Sequence, residues 1–317
     1  MSDIGNLYGS YESAQEYERE GNLIMSAVEY WMCVQYYEHG EYPFMYDISV
    51  GEKASAKLEK LLYRLPYAPL SKTTFIKGCQ CKKMLWLYKN KYNERCVTAE
   101  QQKKYDRGHS IGLLAQALFK GGWDASVFTY QYALKSLQRR TPLQIPPPPY
   151  KIKQNLWIER TRYFMNDNVP FIYEAAFAYD GIFAAVDILS KDGNAVTLYE
   201  VKSSFEVKDV HLHDCALQYY VLSKNLNIKD FFIVTLNEGY INTLGIDIDE
   251  LTEENCNVEK LFVLKSVLGS IQNLQATVQK EVEEVRNILA LKKEPVISVD
   301  EHCHIPYECE FLKYCNR

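Results

Sequence analysis

FIYEAAFAYDGIFAAVDILSKDGNAVTLYEVK, residues 171–202, decides the fold. Residues 171–177 and 182–189 read as strands, Asp192-Gly193-Asn194 supplies a hairpin turn, and 196–202 reads as a third strand. Asp187 and Glu200 then lie on adjacent antiparallel strands. Side chains alternate along a strand, so Glu200 and Lys202 share one face while Val201 points back into the core. Further on, residues 211–224 (HLHDCALQYYVLSK) have helical periodicity, and 230–236 (DFFIVTL) suits a buried strand. Strand hairpin, helix and strand make an α/β core, with helices before and after it to cover the sheet.

The order of Asp187, spacer, then Glu200-x-Lys202 has a chemical meaning. Phosphodiester hydrolysis needs a divalent cation that activates water and neutralises charge on the phosphate oxygens, and hard Mg²⁺ or Mn²⁺ takes carboxylate, carbonyl and water oxygens. Asp187 and Glu200 would supply the carboxylates and the Val201 carbonyl a third ligand. Lys202 would stand beside the metal to orient the attacking hydroxide or stabilise the transition state. Glu174, on the preceding strand, is a further carboxylate for the metal or its water. The same pattern also occurs by chance, and charged pairs on strands are commonly solvated edges.

Composition places the chain among soluble proteins: 47% of its 317 residues are apolar, 24% are charged, and no apolar run is long enough to span a bilayer. Met1-Ser2-Asp3-Ile4 does not open a cleavable leader, so a cytoplasmic location is expected. The net charge of -5 argues against a broadly basic surface. A local basic groove would draw on Lys103, Lys104, Arg107, Arg139, Arg140, Lys151, Lys153, Arg160 and Arg162, which equally suit solvated helix faces.

Nine cysteines without a secretory signal read as reduced thiols or metal ligands. Cys303, Cys309 and Cys315 close the chain with five residues in each gap (CHIPYECEFLKYC), and Pro306 keeps this tail from continuing a helix. Three thiols need a fourth ligand. Cys81 in FIKGCQCKKMLWLYK leads, Cys79 follows, and His302 and His304 are outsiders. Four thiolates fit either an iron–sulfur cluster or tetrahedral Zn²⁺. Cys33, Cys96, Cys215 and Cys256 read as small, mostly buried hydrophobes.

From about Leu70 to Arg317 the chain resembles the RecB-like, CRISPR-associated-exonuclease-like group of the PD-(D/E)XK superfamily. The resemblance rests on CKKMLWL with Cys81, YDRGHSIGLLAQALFKGG (Tyr105–Gly122), YEAAFAYDGIFAAVDIL around Glu174 and Asp187, LYEVKSS around Glu200 and Lys202, ALQYYVL around Gln218, and the closing HCHIPYECEFLKYC. It implies a restriction-endonuclease-like α/β fold with a central mixed sheet flanked by helices, a Mg²⁺ or Mn²⁺ site, and cleavage of single-stranded DNA or DNA ends. It also implies a structural [4Fe-4S] cluster on Cys81, Cys303, Cys309 and Cys315 that pins the tail to an early helix. The chain departs from the family pattern in three places. A family metal-binding His is replaced by Gly112, leaving His109 as the nearby imidazole; Gln218 is followed four residues on by Leu222 rather than Tyr; and the first gap of the cysteine tail is long. A rival expectation on the same fold is a catalytically quiet nucleic-acid-binding or assembly subunit.

Residues 1–68 lie outside this resemblance and 69–317 are expected to form the nuclease domain. SAQEYEREGN, LIMSAVEYWMCVQYYEHG and GEKASAKLEKLLYRL read as three helices, an all-helical capping or partner-binding extension in which Ala14, Gly21, Ala27 and Tyr30 have tetratricopeptide-like spacing. Tyr30, Tyr36, Tyr37 and Tyr42 suit core packing better than base stacking. Residues 141–149, proline-rich, read as a connector, and 257–291 as a long amphipathic helix.

Overall fold

Seven strands in the computed structural model, which describes residues 2–39, 45–127 and 148–317, form one mixed sheet. They are β1 (Leu70–Ser71), β2 (Trp123–Asp124), β3 (Phe171–Tyr179), β4 (Ile182–Asp192), β5 (Ala195–Val201), β6 (Ile228–Leu236) and β7 (Phe262–Ser266). Their order is β2-β3-β4-β5-β6-β7, with β1 parallel to the start of β4. β3, β4 and β5 run antiparallel through the turns at Asp180-Gly181 and Gly193, both glycines having positive φ as tight turns require. β5 and β6 are parallel, so the chain between them must cross over, and it does so through the helix Asp209–Leu222.

By contact, the chain divides into two compact units: Met1–Tyr67 with Ala125–Tyr163, and Ala68–Asp124 with Phe164–Arg317. The break at Tyr67 falls where Pro66 and Pro69 separate the helical extension. Residues 125–163, expected within the 69–317 domain, cluster instead with the first unit.

The first unit holds α1 (Ser2–Arg19), α2 (Leu23–His39) and α3 (Met45–Arg64). Leu7, Ala14, Ala27, Tyr30, Cys33, Leu58 and Leu61 form its core, to which Ile152 and Leu156 add their side chains. Tyr30 and Tyr36 are buried and Tyr37 packs against them, so these rings serve the core; Tyr42 lies outside the described residues.

In the second unit, α4 (Lys72–Gln80), α5 (Lys82–Asn90) and α6 (Ala99–Gln116) precede the meander; α7 (Tyr150–Asn166), which belongs to the first unit up to Tyr163, leads the chain into it. Helix α8 (Asp209–Leu222) makes the crossover, and α9 (Gln275–Ala290) follows the sheet. One sheet face packs α6, with Ile111, Leu114 and Ala115 against Tyr173, Ile188 and Val234. The other face takes α8, whose Cys215, Ala216, Leu217, Val221 and Leu222 are buried.

The long helix expected over 257–291 is broken by β7. Only Val258–Leu261, Leu268–Asn273 and Gln275–Ala290 are helical. The reason is backbone demand: β6 leaves a row of edge N–H and C=O groups, and FVLKS pairs with it from Phe232↔Ser266 to Leu236↔Phe262. Among the described residues no helix is long and apolar enough to cross a membrane.

Candidate active site

Register places the three carboxylates in one row. Tyr173 pairs with Ile188 and Ala175 with Val186, which sets Glu174 opposite Asp187; Ile188 pairs with Tyr199, which sets Asp187 opposite Glu200. Neighbours in such a row lie on one face about 5 Å apart. The row breaks the ladder at both crossings. Glu174 has φ of 54°, a left-handed conformation that costs a non-glycine residue on the order of 1 kcal/mol or more and is concentrated at functional positions. On the other side the Val201 N–H donates to Asp187 Oδ2 at 2.6 Å, a side-chain acceptor where the ladder would supply a carbonyl. Val201 turns its side chain to the α6 face, as alternation requires.

Glu200 is the anchor of the row, 2% exposed, and both its oxygens are held. Lys202 Nζ and Lys72 Nζ donate to Oε1 at 2.7 and 2.8 Å, and Gln218 Nε2 donates to Oε2 at 2.9 Å. Lys202 also donates to Asp214 Oδ2, and Lys72 lies 3.8 Å from the same oxygen. Lys72 and Asp214 join the site from elements outside the meander. Lys72 is the first residue of α4, which starts there because Ser71 and Thr74 form a capping box: Thr74 N–H donates to Ser71 Oγ at 3.3 Å and Ser71 N–H to Thr74 Oγ1 at 2.8 Å. Asp214 and Gln218 are one turn apart on α8 and so face the same way.

The electrostatics separate the three acids. Burial, and then the Glu200 charge, pushes the Asp187 carboxyl up to about 7. Burial, then the Asp187 charge, pushes Glu174 up to about 8. Burial also opposes ionisation of Glu200, but Lys202 and Lys72 outweigh it and hold that carboxyl well below the usual range. Lys72 acts on all three acids and Lys202 on Asp187 and Glu200, but at Glu174 and Asp187 burial and the neighbouring carboxylates prevail, whereas at Glu200 the two lysines do. Among the described residues, Gln218 Oε1 and Asp214 Oδ1 are buried beside this row without a hydrogen-bond partner.

The cysteines also converge. Cys81, Cys303, Cys309 and Cys315 line one cavity with His302, Met84, Leu87 and Phe311. Burial pushes the Cys309 thiol up to about 11, and the other three cysteines add to that push. Hydrogen bonds tie the tail down: Gln80 Nε2 donates to the carbonyls of His302 at 2.8 Å and Tyr307 at 2.7 Å, and Glu310 accepts from Lys77 and Tyr105, each at 2.7 Å. Cys79 is not among the residues lining this cavity. Of the cysteines read as small hydrophobes, Cys33 and Cys215 are buried, whereas Cys96 is exposed and Cys256 half-buried.

His109 does not join the row. It is exposed on α6, two residues before the buried Ile111 and so on the opposite side of that helix. The basic residues of α6 are engaged as well: Lys103 and Arg107 both pair with Asp249, and Lys104 pairs with Glu100. Arg139 and Arg140 lie outside the described residues, as do 141–147 of the proline-rich connector.

No protein-family model matches this chain, and no curated protein matches it. Among solved structures, the crystal structure of SSO0001 aligns over 68% of this chain and 95% of its own, with 10% sequence identity and a TM-score of 0.26, a likeness too slight to bear on fold type or function.

Proposed function

We propose that this chain is a metal-dependent deoxyribonuclease of the restriction-endonuclease-like, PD-(D/E)XK type, acting on single-stranded DNA or DNA ends and carrying a [4Fe-4S] cluster in its cysteine tail. The observation that carries the reading is the row Glu174, Asp187, Glu200 across three adjacent strands, with Lys202 beside it. Packing like charges opposite one another opposes folding unless cations or protons compensate, so such a row marks a binding site rather than a structural one.

The residues fit a hard divalent cation. Raised carboxyls at Asp187 and Glu174 and the unpartnered oxygens of Gln218 and Asp214 make an all-oxygen donor set of the kind Mg²⁺ and Mn²⁺ take. Asp187, Glu200 and the Val201 carbonyl would hold the ion, with Glu174 next to them and His109 outside. When bound, the ion supplies activation of water and neutralisation of phosphate charge. The chain's own groups do the positioning. The Val201 N–H fixes the Asp187 carboxylate, and Lys72, Lys202 and Gln218 hold Glu200 in one orientation. Lys202 keeps its ammonium within reach of a phosphate oxygen on the face where the row lies.

Four cysteines lining one cavity suit the thiolate ligation of a multi-iron cluster, with a single Zn²⁺ as the alternative occupant. The cluster's role is structural, closing the tail onto α4 and α5.

The test is cleavage of labelled single- and double-stranded DNA with Mg²⁺ or Mn²⁺ by the wild type, Asp187→Ala and Lys202→Ala. Loss of cleavage in both variants is expected. Equal activity in all three proteins defeats the mechanism, and wild type that binds DNA without cutting it supports the quiet assembly subunit. Anaerobically purified protein is expected to be brown with iron and sulfide bound; colourless protein with stoichiometric zinc overturns the cluster assignment.

A further inference from the structure

We propose that Cys79, His213 and Glu281 form a separate site for a zinc-class divalent cation. The three residues come from three helices of the second unit, α4, α8 and α9. The Cys79 sulfur, a His213 ring nitrogen and a Glu281 carboxylate oxygen all lie within 4.8 Å of one another. His213 Nε2 stands 2.5 Å from Glu281 Oε2, and the Phe75 ring edge-packs on the imidazole at 5.8 Å between centroids.

The helices are brought together by an absence of side chain. A Cβ at Gly78 would lie 2.9 Å from both Leu85 Cδ2 and Val285 Cγ2, so α4 approaches α9 this closely because residue 78 is glycine. Val285 is one turn beyond Glu281, and Cys79 follows Gly78, so the same close approach sets the thiol against the carboxylate.

The donor set identifies the ion class. Thiolate, imidazole and carboxylate together suit Zn²⁺ and its tetrahedral relatives and disfavour Mg²⁺ or Mn²⁺, which prefer all-oxygen surroundings. Tetrahedral zinc sets its ligand atoms roughly 3.3–3.8 Å apart, so binding would close the Cys79 separations from up to 4.8 Å and open the 2.5 Å His213–Glu281 contact, both within the reach of side-chain torsions. Three protein ligands leave a fourth position for water or an incoming group. The site is distinct from the tail cavity, because Cys81, not Cys79, lines that cavity. It is also distinct from the carboxylate row, although bound metal would brace the two helices, α4 and α8, that deliver Lys72, Asp214 and Gln218 to Glu200.

The test uses the full chain with Co²⁺ alone, without Mg²⁺ or Mn²⁺, followed by absorption difference spectra. One equivalent is expected to give a sulfur-to-cobalt charge-transfer band with the intense visible bands of four-coordinate cobalt, displaced by Zn²⁺. Cobalt on the carboxylate row would lack the sulfur band, so the readout does not depend on the nuclease reading or on activity. Cys79→Ser and His213→Gln are both expected to remove the band, and Glu281→Gln, nearly isosteric and so safe for folding, to weaken binding at least tenfold. A band that survives in His213→Gln overturns the site, and a band that survives in Cys79→Ser assigns the sulfur to the tail cavity and overturns it too. Wild type that takes up no Co²⁺ leaves His213 and Glu281 as an ordinary hydrogen-bonded pair and ends the proposal.

Discussion

Replacing Lys72 by Met tests whether the second lysine on Glu200 is part of the site or a bystander. Methionine keeps the unbranched stem and removes the ammonium, so the loss is one charge-assisted hydrogen bond of 2.8 Å to a carboxylate that is 2% exposed. Such bonds contribute about 1.5–3 kcal/mol. The lower end applies, because Lys72 keeps 26% of its side chain in solvent and Lys202 remains on the same oxygen at 2.7 Å. Glu200→Gln is the harsher change. It leaves two ammonium groups facing a neutral amide, and removing one partner of a buried charge set costs about 3–5 kcal/mol. In the double variant Lys72 is no longer stranded, so the cost is expected to fall short of the sum by about 1–2 kcal/mol. Denaturant unfolding of the four proteins measures that coupling. Under the proposed nuclease function, Lys72 would act through Glu200 as a positioning residue; its loss is then expected to lower kcat by roughly 10- to 100-fold while leaving DNA affinity within about twofold. Additive stabilities together with kcat within twofold of wild type would refute the reasoning.

Three other perturbations follow from contacts elsewhere. Gly78→Ala is expected to destabilise by about 1–3 kcal/mol in unfolding experiments despite alanine's better helix propensity, because its Cβ meets Leu85 and Val285 at 2.9 Å; a stabilised variant would mean that α4 and α9 are not packed as described. Glu310→Gln, a side chain 4% exposed, removes the charge that Lys77 and Arg95 face, with an expected cost of about 2–4 kcal/mol and faster proteolysis of the residues after Pro306; unchanged proteolysis would count against the tail being held by Glu310. In the first unit, the hydrogen bond from Lys57, aided by Tyr30, holds the Glu18 carboxyl below its ordinary value. A depressed carboxyl contributes stability that is present above its unfolded value near 4.5 and lost as pH falls through the folded value. Lys57→Met is therefore expected to destabilise by less than about 1 kcal/mol at neutral pH, since Lys57 is 42% exposed, and by less still in acid. A loss that grows below pH 4 would contradict the sign.

What could be read along the chain was local. Period-two alternation and the Asp192-Gly193-Asn194 turn place Asp187 and Glu200 on neighbouring strands with Lys202 on the Glu200 face, because register in a short hairpin follows from the turn and from which face is buried. The α8 pattern also held an unused signal. Asp214 and Gln218 are four residues apart, so a helix that aims Gln218 at Glu200 aims Asp214 there as well. The strand Phe262–Ser266 was hidden for the opposite reason: its apolar spacing continues the helix-like run around it, and only the open edge of β6 selects the extended form.

Lys72 had no such signal, being 128 residues before the carboxylate it holds. The Ser71–Thr74 capping box shows where α4 begins and therefore that residue 72 sits at a helix start, but the partner of that residue is a tertiary fact. The pair Cys79 and Cys81 makes the same point in sharper form. Residues two apart on or near a helix point about 200° apart, so one thiol of CQC can serve the tail cavity only if the other turns away from it. From spacing alone either assignment is equally good. What decides between them is Gly78, which lets α4 settle against Val285 and carries Cys79 to the α8–α9 side, so that Cys81, at the break between α4 and α5, is the thiol left to meet Cys303, Cys309 and Cys315. A change at residue 78 is thus expected to disturb two sulfur environments together, although it adds or removes no ligand of either.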